Sequence, residues 1–398
     1  MRILLINKFL YPRGGAETYM FKVGEQLTKM GHEVQYFGMQ DERNIVRNNL
    51  GIYTDNVDFH EKRLSAITYP FKIIYSKENR KKLEKVLDDF KPDIVHLNNI
   101  NFQLTPAIID KIYEHHIPMV QTVHDLQMLC PNHLMFQDFK VCEKCKNGNY
   151  MECIKNKCIH NSTPKSLIGA IESYIYHMGN TYSKVDYYIC PSRFIEGKLN
   201  EYSDIYKDKT EFVQNFIELP KLHNMKKKPY VLYFGRFYEE KGIRILLDAI
   251  NKCSDIDFVF VGDGPLKPLI EKSRADYLGF KTGQELNQLI EEAAISIYPS
   301  IWYENCPLSI LESEALGTPI IASNLGGIPE LIEDGKTGRI VKDMTADCLA
   351  DVIHETMANQ TLLNVMHENC LKKRDTLISI QEYCERLECI YDKIREKY

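Results

Sequence analysis

Short apolar runs alternate with amphipathic stretches along the whole chain, and this pattern constrains the fold more than any other feature. In the first half, the runs with the length of buried strands are Ile3–Ile6, Glu33–Phe37, Ile94–Leu97, Pro118–Thr122 and Tyr187–Cys190. Helical patterns separate them, near 16–30, 76–90, 104–116, 165–182 and 193–202. Strands that alternate with helices predict a parallel, doubly wound sheet.

The second half repeats this pattern. Its strand candidates are Tyr230–Phe234, Asp257–Val261, Tyr277–Leu278, Ile295–Tyr298, Pro319–Ala322 and Arg339–Val341. Its helices are expected near 241–252, 265–274, 283–293, 308–317, 328–333, 346–357 and 360–371, and a last packing helix near 381–397. The polar, basic stretch 216–229 is a candidate linker. We therefore predict an α/β protein with two facing Rossmann-like, doubly wound parallel-sheet domains, 1–218 and 219–378, and an interdomain cleft.

Composition excludes several classes of protein. The chain has 398 residues, of which 44% are apolar and 26% charged, as is ordinary for a globular protein. The net charge of −5 gives no sign of nucleic-acid binding. No apolar run reaches transmembrane length, and the start of the chain resembles a buried strand more than a signal peptide. We expect a cytoplasmic protein in which the twelve cysteines are reduced or bind metal.

Several polar or glycine-rich motifs follow directly after predicted strands. In doubly wound sheets ligands bind beyond the carboxyl ends of the strands, so these motifs are expected to line one cleft. The motifs are Gly14-Gly15, His124-Asp125, Gly235-Arg236, Gly262-Asp263 and Glu304.

Two carboxylates, Glu304 and Glu312, bracket the start of a predicted helix. Pro307 suits the first helical position, which would leave the amides of Leu308 and Ser309 as donors to an anion. The carboxylates could then hold hydroxyls of a phosphorylated sugar. The alternatives are a capping box formed by Ser309 and Glu312, and a solvated loop acid at Glu304.

Two cations, Arg236 and Lys241, could neutralise a diphosphate; the alternative is that both are surface charges. Gly14 and Gly15 would let a ligand approach the backbone, or would simply form a tight turn. They do not form the G-x-G-x-x-G fingerprint of nicotinamide binding.

His124 could hydrogen-bond a sugar or a leaving group near neutral pH, or could satisfy nearby backbone. The segment Gly262–Pro265 is predicted to be a strand-end turn with Pro265 at the first helical position. Asp263 is a poor metal ligand candidate because the D-x-D pattern is missing.

A cysteine-rich insert, 130–160, interrupts the first domain. The spacing of four cysteines in this polar loop predicts a tetrahedral, structural zinc site: Cys142, Cys145, Cys153 and Cys158. Cys130, His133 and His160 are close enough in sequence to replace one of them. Free thiols or a disulfide are the alternatives.

A basic run, Arg80–Lys82 with Lys85, is typical of a solvated helix face. The alternative is contact with an anionic membrane surface, in which further residues upstream would take part: Lys62, Arg63, Tyr69, Phe71 and Tyr75.

Four segments together resemble the retaining, nucleotide-sugar-dependent glycosyltransferases of family 4: Gly235–Gly242, Gly262–Pro265, Glu304–Glu312 and Gly326–Glu330. The motifs Gly14–Glu17 and His124-Asp125 agree with this resemblance. The variant Asn305-Cys306-Pro307 and the cysteine-rich insert are similar to the bacterial enzymes that make capsular polysaccharide and exopolysaccharide.

The resemblance implies a GT-B fold in which the final helix, 379–398, crosses back to the N-terminal domain. It also implies metal-independent catalysis without a cofactor. The resemblance implies that Arg236 and Lys241 bind the donor diphosphate, with the amides of Leu308 and Ser309 on the phosphates. Glu304 would hold hydroxyls of the donor sugar, and His124 would contact the same sugar. Glu312 would hold the ribose, and backbone near Leu278 would hold the base. An acceptor-side role falls to Asn98 or Asn99.

The expected function is transfer of a hexose or deoxyhexose from a nucleoside-diphosphate sugar to a growing, lipid-linked glycan at the inner face of the cell membrane. The alternatives are a sugar-nucleotide epimerase or a phosphorylase on the same fold, and a non-catalytic nucleotide-sugar-binding protein.

Overall fold

A computed structural model describes residues 1–56 and 74–398 of the chain. These residues form two compact units. The first consists of 1–135, 142–214 and 380–398, and the second of 136–141 and 215–379. The first unit is therefore built from segments that lie far apart in the sequence.

The first unit contains a six-stranded parallel sheet in the order β2-β1-β3-β4-β7-β8. Its strands are β1 (Arg2–Ile6), β2 (Glu33–Phe37), β3 (Ile94–Leu97), β4 (Met119–Thr122), β7 (Tyr187–Cys190) and β8 (Thr210–Phe212). Its helices are α1 (Gly15–Lys29), α2 (Lys77–Phe90), α3 (Ala107–Glu114), α4 (Met151–Lys155), α5 (Thr163–Met178), α6 (Arg193–Tyr202) and, from the end of the chain, α13 (Ile380–Arg395). The strand order reverses between β1 and β3, where such sheets form ligand crevices.

The second unit has its own six-stranded parallel sheet, in the order β11-β10-β9-β12-β13-β14. Its strands are β9 (Lys228–Arg236), β10 (Asp257–Asp263), β11 (Asp276–Tyr277), β12 (Ala293–Tyr298), β13 (Ile320–Ser323) and β14 (Gly338–Val341). Its helices are α7 (Ile243–Lys252), α8 (Lys267–Ile270), α9 (Gly283–Glu292), α10 (Leu308–Ala315), α11 (Ala346–Ala358) and α12 (Gln360–Arg374). Here the order reverses between β9 and β12.

Both sheets are held by apolar side chains that the strands bury on each face. In β1 the residues Ile3 to Ile6 are at most 1% exposed, which explains the uninterrupted apolar run. Hydroxyl or amide side chains cap many helices by accepting a hydrogen bond from the first turn, as Ser76, Ser162, Ser192, Thr345 and Asn359 do. The predicted α/β class is confirmed.

Some predicted elements were wrong in extent. The helix expected near 265–274 is only α8, and the residues on either side of it form tighter turns. Pro265 lies in the turn before Leu266, the N-cap, so it is not the first helical residue. The cysteine-rich insert was expected to lack regular structure, but it contains α4 and a hairpin of β5 (Phe136–Gln137) and β6 (Lys140–Val141).

The predicted linker packs closely within the second unit. The backbone amides of His223 and Met225 donate to Glu291, and Lys227 Nζ lies 2.6 Å from Thr318 Oγ1. In the described part of the chain, no helix combines the length and apolarity of a membrane-spanning segment.

The basic run of α2 is paired with acids. Arg80 contacts Glu114, and Lys82 Nζ lies 2.6 Å from Asp55 and 3.0 Å from Glu78. The upstream residues of the membrane hypothesis, Lys62, Arg63, Tyr69 and Phe71, lie outside the described residues. Membrane contact stays a prediction.

Candidate functional site

A buried carboxylate at the end of β12 is the centre of the second unit's candidate site. Four side chains donate to one oxygen, Oε1 of Glu304: Lys241 Nζ at 2.6 Å, Trp302 Nε1 at 2.6 Å, Ser300 Oγ at 2.7 Å and the Tyr298 hydroxyl at 3.0 Å. Lys241 and Glu304 are 8% and 6% exposed, so the ion pair is almost removed from solvent.

The partners of Glu304 follow from the local sequence. Tyr298, Ser300, Trp302 and Glu304 occupy alternate positions in the sequence, and the loop after β12 brings the three donors onto the carboxylate. Sequence reasoning singled out the glutamate and missed the three donors. Their spacing of two residues was the signal that could have found them.

Glycines allow the segments around the ion pair to approach closely. At Gly242, with φ +72°, an added Cβ would lie 1.9 Å from the carbonyl oxygen of Pro299. Gly326, with φ +63°, stands against the backbone of Glu304 and would bring a Cβ within 2.2 Å of its carbonyl oxygen. Only glycine fits two such positions, and together they fix Lys241 against Glu304.

Electrostatics keep this cluster charged. Desolvation alone would raise the pKa of Glu304, but the charge of Lys241 and the hydrogen bonds it receives lower that pKa below its ordinary value. Burial raises the pKa of Tyr298 well above its usual range; Glu304 raises it further and Arg236 opposes it. Arg236 therefore lies within electrostatic reach of the same hydroxyl that contacts Glu304.

The predicted glycine motifs meet at neighbouring strand ends. In the register of β9 and β10, Gly235 pairs with Gly262 and Arg236 with Asp263. Gly262 has φ +143°, and an added Cβ would lie 1.9 Å from the carbonyl oxygen of Gly235. The Arg236 side chain is exposed beside the ring of Tyr238, 5.2 Å from its centroid, and is therefore accessible to a ligand.

Helix α10 begins at Leu308, in agreement with the helix predicted near 308–317, but Pro307 is not its first helical residue. Pro307 is its N-cap, with ψ 116°, so the first two helical residues are Leu308 and Ser309. This corrects both the placement of Pro307 inside the helix and the capping-box alternative, which needs Ser309 at the N-cap. Amides in the first turn of a helix have no intrahelical acceptor, so these two keep their predicted anion-binding geometry. Glu312 lies half-buried one turn further on.

Leu278 follows β11 directly. Its amide donates to the carbonyl of Phe260 at 3.0 Å, and its side chain is 42% exposed. The next residue, Gly279, accepts from the amide of Gly262, which ties this backbone to the glycine motif. The contact of the backbone near Leu278 with a nucleotide base stays a prediction.

The candidate site of the first unit is built around His124, which follows β4. The ring Nε2 lies 2.9 Å from Asn98 Oδ1, while Asn98 Nδ2 lies 3.4 Å from the carbonyl oxygen of Ile6. Because the amide nitrogen of Asn98 turns to a carbonyl, its oxygen faces the imidazole. This orientation assigns the proton of His124 to Nε2 and leaves Nδ1 as an acceptor.

A buried polar network supports this histidine from beneath. Tyr19 lies edge-on to His124, with ring centroids 4.9 Å apart, and its hydroxyl contacts Thr122 at 3.0 Å and Tyr383 at 2.9 Å. His96 links two hydroxyl groups: its Nε2 lies 2.7 Å from Thr122 Oγ1, and its Nδ1 lies 2.5 Å from the Tyr391 hydroxyl. Sequence analysis missed this network, since no local pattern connects residues so far apart.

Both histidines are neutral at physiological pH. Desolvation lowers the pKa of His124 to about 4, against a smaller opposing effect of Asp125. Desolvation lowers the pKa of His96 to about 3, and the nearby His124 lowers it further. A neutral His124 suits hydrogen bonding to a hydroxyl better than pairing with an anion.

We predict that His96 makes the protein less stable in mild acid. Its pKa is about 3 in the folded chain and 6.5 ordinarily, so its contribution is fully present above pH 6.5 and declines as pH falls towards 3. Between pH 7 and pH 5 the free energy of unfolding should fall by about 2 kcal/mol through this residue. His96→Gln should remove that part of the slope in urea unfolding at both pH values. An unchanged slope in the variant would contradict the assignment.

The turn after β1 does not itself require its two glycines. Gly14 is the N-cap of α1 with φ −165°, which any residue adopts, and a Cβ at Gly15 would meet nothing within 4 Å. The explanation that these glycines only form a tight turn therefore loses support, and the space beside the Gly15 backbone is open.

The cysteine-rich insert brings its thiols together in pairs. Hydrogen bonds join Cys145 to Cys130 and Cys153 to Cys158. The hydrogen bond from Cys145 lowers the pKa of Cys130. Burial raises the pKa of Cys142, and the nearby Cys130 and Cys158 raise it further. Among the described residues, no group of three or more acidic, histidine or cysteine side chains is placed so that it could hold a metal ion. The zinc site therefore stays a prediction.

If the insert does hold zinc, protein purified without chelator should contain about one equivalent by inductively coupled plasma mass spectrometry. Cys130→Ser combined with Cys153→Ser should remove the metal and lower the melting temperature, because structural zinc stabilises the loop that it closes. Cys389→Ser, at an exposed position in α13, is the matched control. Metal-free wild-type protein that melts unchanged after zinc addition would exclude the site.

Comparison with known sequences identifies the family. A family model for glycosyltransferase family 4 matches residues 13–221, and a model for glycosyl transferases group 1 matches residues 228–359. Alpha-D-kanosaminyltransferase of Streptomyces kanamyceticus is 29% identical over 48% of this chain and 52% of its own length. An uncharacterized glycosyltransferase of Methanocaldococcus jannaschii is 29% identical over 53% of this chain and 60% of its own length. The chain thus spans about half to three fifths of these relatives.

A longer alignment joins the chain to an uncharacterized 42.6 kDa protein in the cps region of Klebsiella pneumoniae, 24% identical over 83% of this chain and 87% of that one. Among solved structures, sucrose-phosphate synthase from Thermosynechococcus elongatus superposes with a TM-score of 0.72 at 16% identity, covering all of both chains. Anabaena HepE in complex with UDP gives 0.68 at 16% identity, over 99% of this chain and 100% of that one. The fold is GT-B. The family 4 model covers residues 13–221, which is more than half of this chain, so the chain belongs to glycosyltransferase family 4.

Proposed function

We propose that the protein is a retaining glycosyltransferase that transfers a hexose or deoxyhexose from a nucleoside-diphosphate sugar to a hydroxyl of a growing, lipid-linked glycan. The product would be a cell-surface polysaccharide. The relative from a cps region of Klebsiella pneumoniae supports a polysaccharide product.

The observation that carries the proposal is the buried pair of Lys241 and Glu304. It stands at the reversal of strand order between β9 and β12, where doubly wound sheets bind nucleotides. All four donors named above converge on Oε1 of Glu304, so we assign Oε2 to hydroxyls of the donor sugar. HepE, which shares the fold, was solved with UDP and with UDP-glucose.

The leaving diphosphate would be stabilised electrostatically. Arg236 offers an exposed guanidinium, Lys241 an ammonium held in place by Glu304, and α10 the amides of Leu308 and Ser309. Preorganised donors of this kind are often the largest contribution to catalysis. We propose that these groups suffice without a metal ion, and that Glu312 holds the ribose.

His124 would bind the donor sugar through Nδ1, the acceptor atom left by its contact with Asn98. Its lowered pKa keeps it neutral, as a hydrogen bond to a sugar hydroxyl requires. The open space at Gly15 would admit a donor or acceptor group close to the backbone. Front-face attack by the acceptor hydroxyl would then retain the anomeric configuration.

The first test is a thermal-shift panel of nucleoside diphosphates and nucleotide sugars, with EDTA present. One sugar nucleotide should raise the melting temperature more than its bare diphosphate, because ligands of the folded state stabilise it by mass action. Mass spectrometry and NMR of the product should then show a new glycosidic bond of the donor's anomeric configuration.

Each rival function predicts a different combination of binding, seen as a thermal shift, and turnover, seen by product analysis. An epimerase would change the sugar nucleotide without an acceptor, and a non-catalytic protein would bind it without any turnover. No shift with any compound, in the presence of membrane lipid extract as acceptor, would overturn the proposed donor site.

A further inference from the structure

A pocket in the first unit has no role in the proposal above. It lies between the loop after β3, the residues after β4, the cysteine-rich insert, α5 and the segment after α6. We infer that this pocket binds an uncharged sugar unit of the acceptor glycan, with Glu172 as the residue that recognises a hydroxyl; this reading rests on the proposed function.

Glu172, on α5, is the most informative side chain of the pocket. It is 3% exposed and accepts a hydrogen bond from the amide of Phe102, but its Oε1 has no partner among the described residues. A buried carboxyl oxygen without a partner costs folding free energy, because it has lost its water without gaining a hydrogen bond. Such a cost is expected where a ligand supplies the missing hydrogen bond.

A second unpaired group lines the same pocket. Gln127, three positions after His124, is 7% exposed, and its Nε2 has no partner in the described chain. The pocket thus offers an amide donor as well as the carboxyl of Glu172. Paired donors and acceptors at fixed positions are what recognition of a sugar hydroxyl requires.

Charge excludes phosphorylated ligands. No lysine or arginine occurs among the described residues that line the pocket, so a nucleotide or a diphosphate would lose its water without gaining a cation. Burial raises the pKa of Glu172 to about 8, so at neutral pH its carboxyl carries a proton and can both donate and accept. A neutral polyhydroxylated ligand matches both properties.

The walls also match a sugar ring. Tyr150, Tyr176, Tyr182 and Tyr206 line the pocket, and each is at most 8% exposed. Aromatic side chains provide rigid apolar surface with a polar tip, which suits a molecule with both C–H and O–H faces. The cysteine-rich insert contributes Tyr150, so a function of this insert would be to close one side of the pocket.

The test uses saturation-transfer NMR with a panel of methyl hexosides and deoxyhexosides, on the full chain without donor. One or more glycosides should bind the wild type, and Glu172→Met should weaken that affinity at least tenfold. The same variant should melt close to the wild-type temperature, because removal of the unpaired Oε1 offsets the loss of the acceptor for the amide of Phe102. Loss of binding with little change in melting temperature separates recognition from a structural role.

A blocking pair of variants locates the ligand. Ser173→Trp fills the pocket from α5 and should abolish binding, whereas Ile171→Trp, exposed on the same helix and outside the pocket lining, should not. Binding that survives in both Glu172→Met and Ser173→Trp overturns the inference, and so does a panel that gives no signal. Nucleotide-induced thermal shifts should persist in every variant, so failure of the acceptor pocket remains distinguishable from failure of the donor site.

Discussion

Lys241→Met is expected to lower kcat/KM by 10² to 10³, equivalent to about 2.7–4 kcal/mol of transition-state stabilisation. The variant should also lose about 3–5 kcal/mol of unfolding free energy, because Glu304 would remain buried without its cation. Both quantities can be measured on one preparation, by urea unfolding and by steady-state kinetics with the donor that the thermal-shift panel selects.

Two further variants separate folding from catalysis. Lys241→Met combined with Glu304→Gln should recover most of the stability, since neither charge remains, yet should stay inactive. Lys207→Met removes an ion pair with the same 2.6 Å distance, but Lys207 and its partner Asp204 are 59% and 86% exposed, so the free energy of unfolding should hardly change. Full turnover by Lys241→Met would refute the diphosphate site.

Gly326→Ala is expected to have the second largest effect. The new methyl group would lie 2.2 Å from the carbonyl oxygen and 2.6 Å from the amide nitrogen of Glu304, and the backbone cannot yield without moving that acid. Left-handed strain costs about 1–2 kcal/mol and overpacking about 1–3 kcal/mol more. The protein should therefore lose about 2–5 kcal/mol of stability and most of its activity.

Gly335→Ala is the matched control, because Gly335 has a similar φ of +76° but meets nothing within 4 Å. It should show the strain alone, about 1–2 kcal/mol, with unchanged kcat/KM. The difference between the two variants in unfolding and turnover isolates the contact with Glu304. Equal losses in both would show that Gly326 does not position the acid.

Apolar runs and their spacing were sufficient to predict the fold. The strand Tyr187–Cys190 has the predicted bounds, because all four of its residues are buried and a fully buried strand needs an uninterrupted apolar run. Helix ends were less predictable: Pro307 and Pro265 suit more than one position around a helix start, and only the backbone dihedrals decide.

The site was predictable where its residues are close in sequence. Glu304 and Lys241 each belong to a recognisable motif, although their mutual contact does not follow from either motif alone. The network beneath His124 was beyond prediction, since Tyr383 meets Tyr19 across 364 positions. Packing decides such contacts, and packing depends on the whole fold.

The placement of α13 in the first unit affects synthesis on the ribosome. Tyr383, Cys384 and Tyr391 are fully buried there, so the core of that unit is incomplete until they emerge. The intervening residues 215–379 must be translated first, which takes roughly 10–30 s at ordinary elongation rates. During this interval His96 lacks Tyr391 and Tyr19 lacks Tyr383, and the nascent chain exposes the apolar surface that chaperones bind.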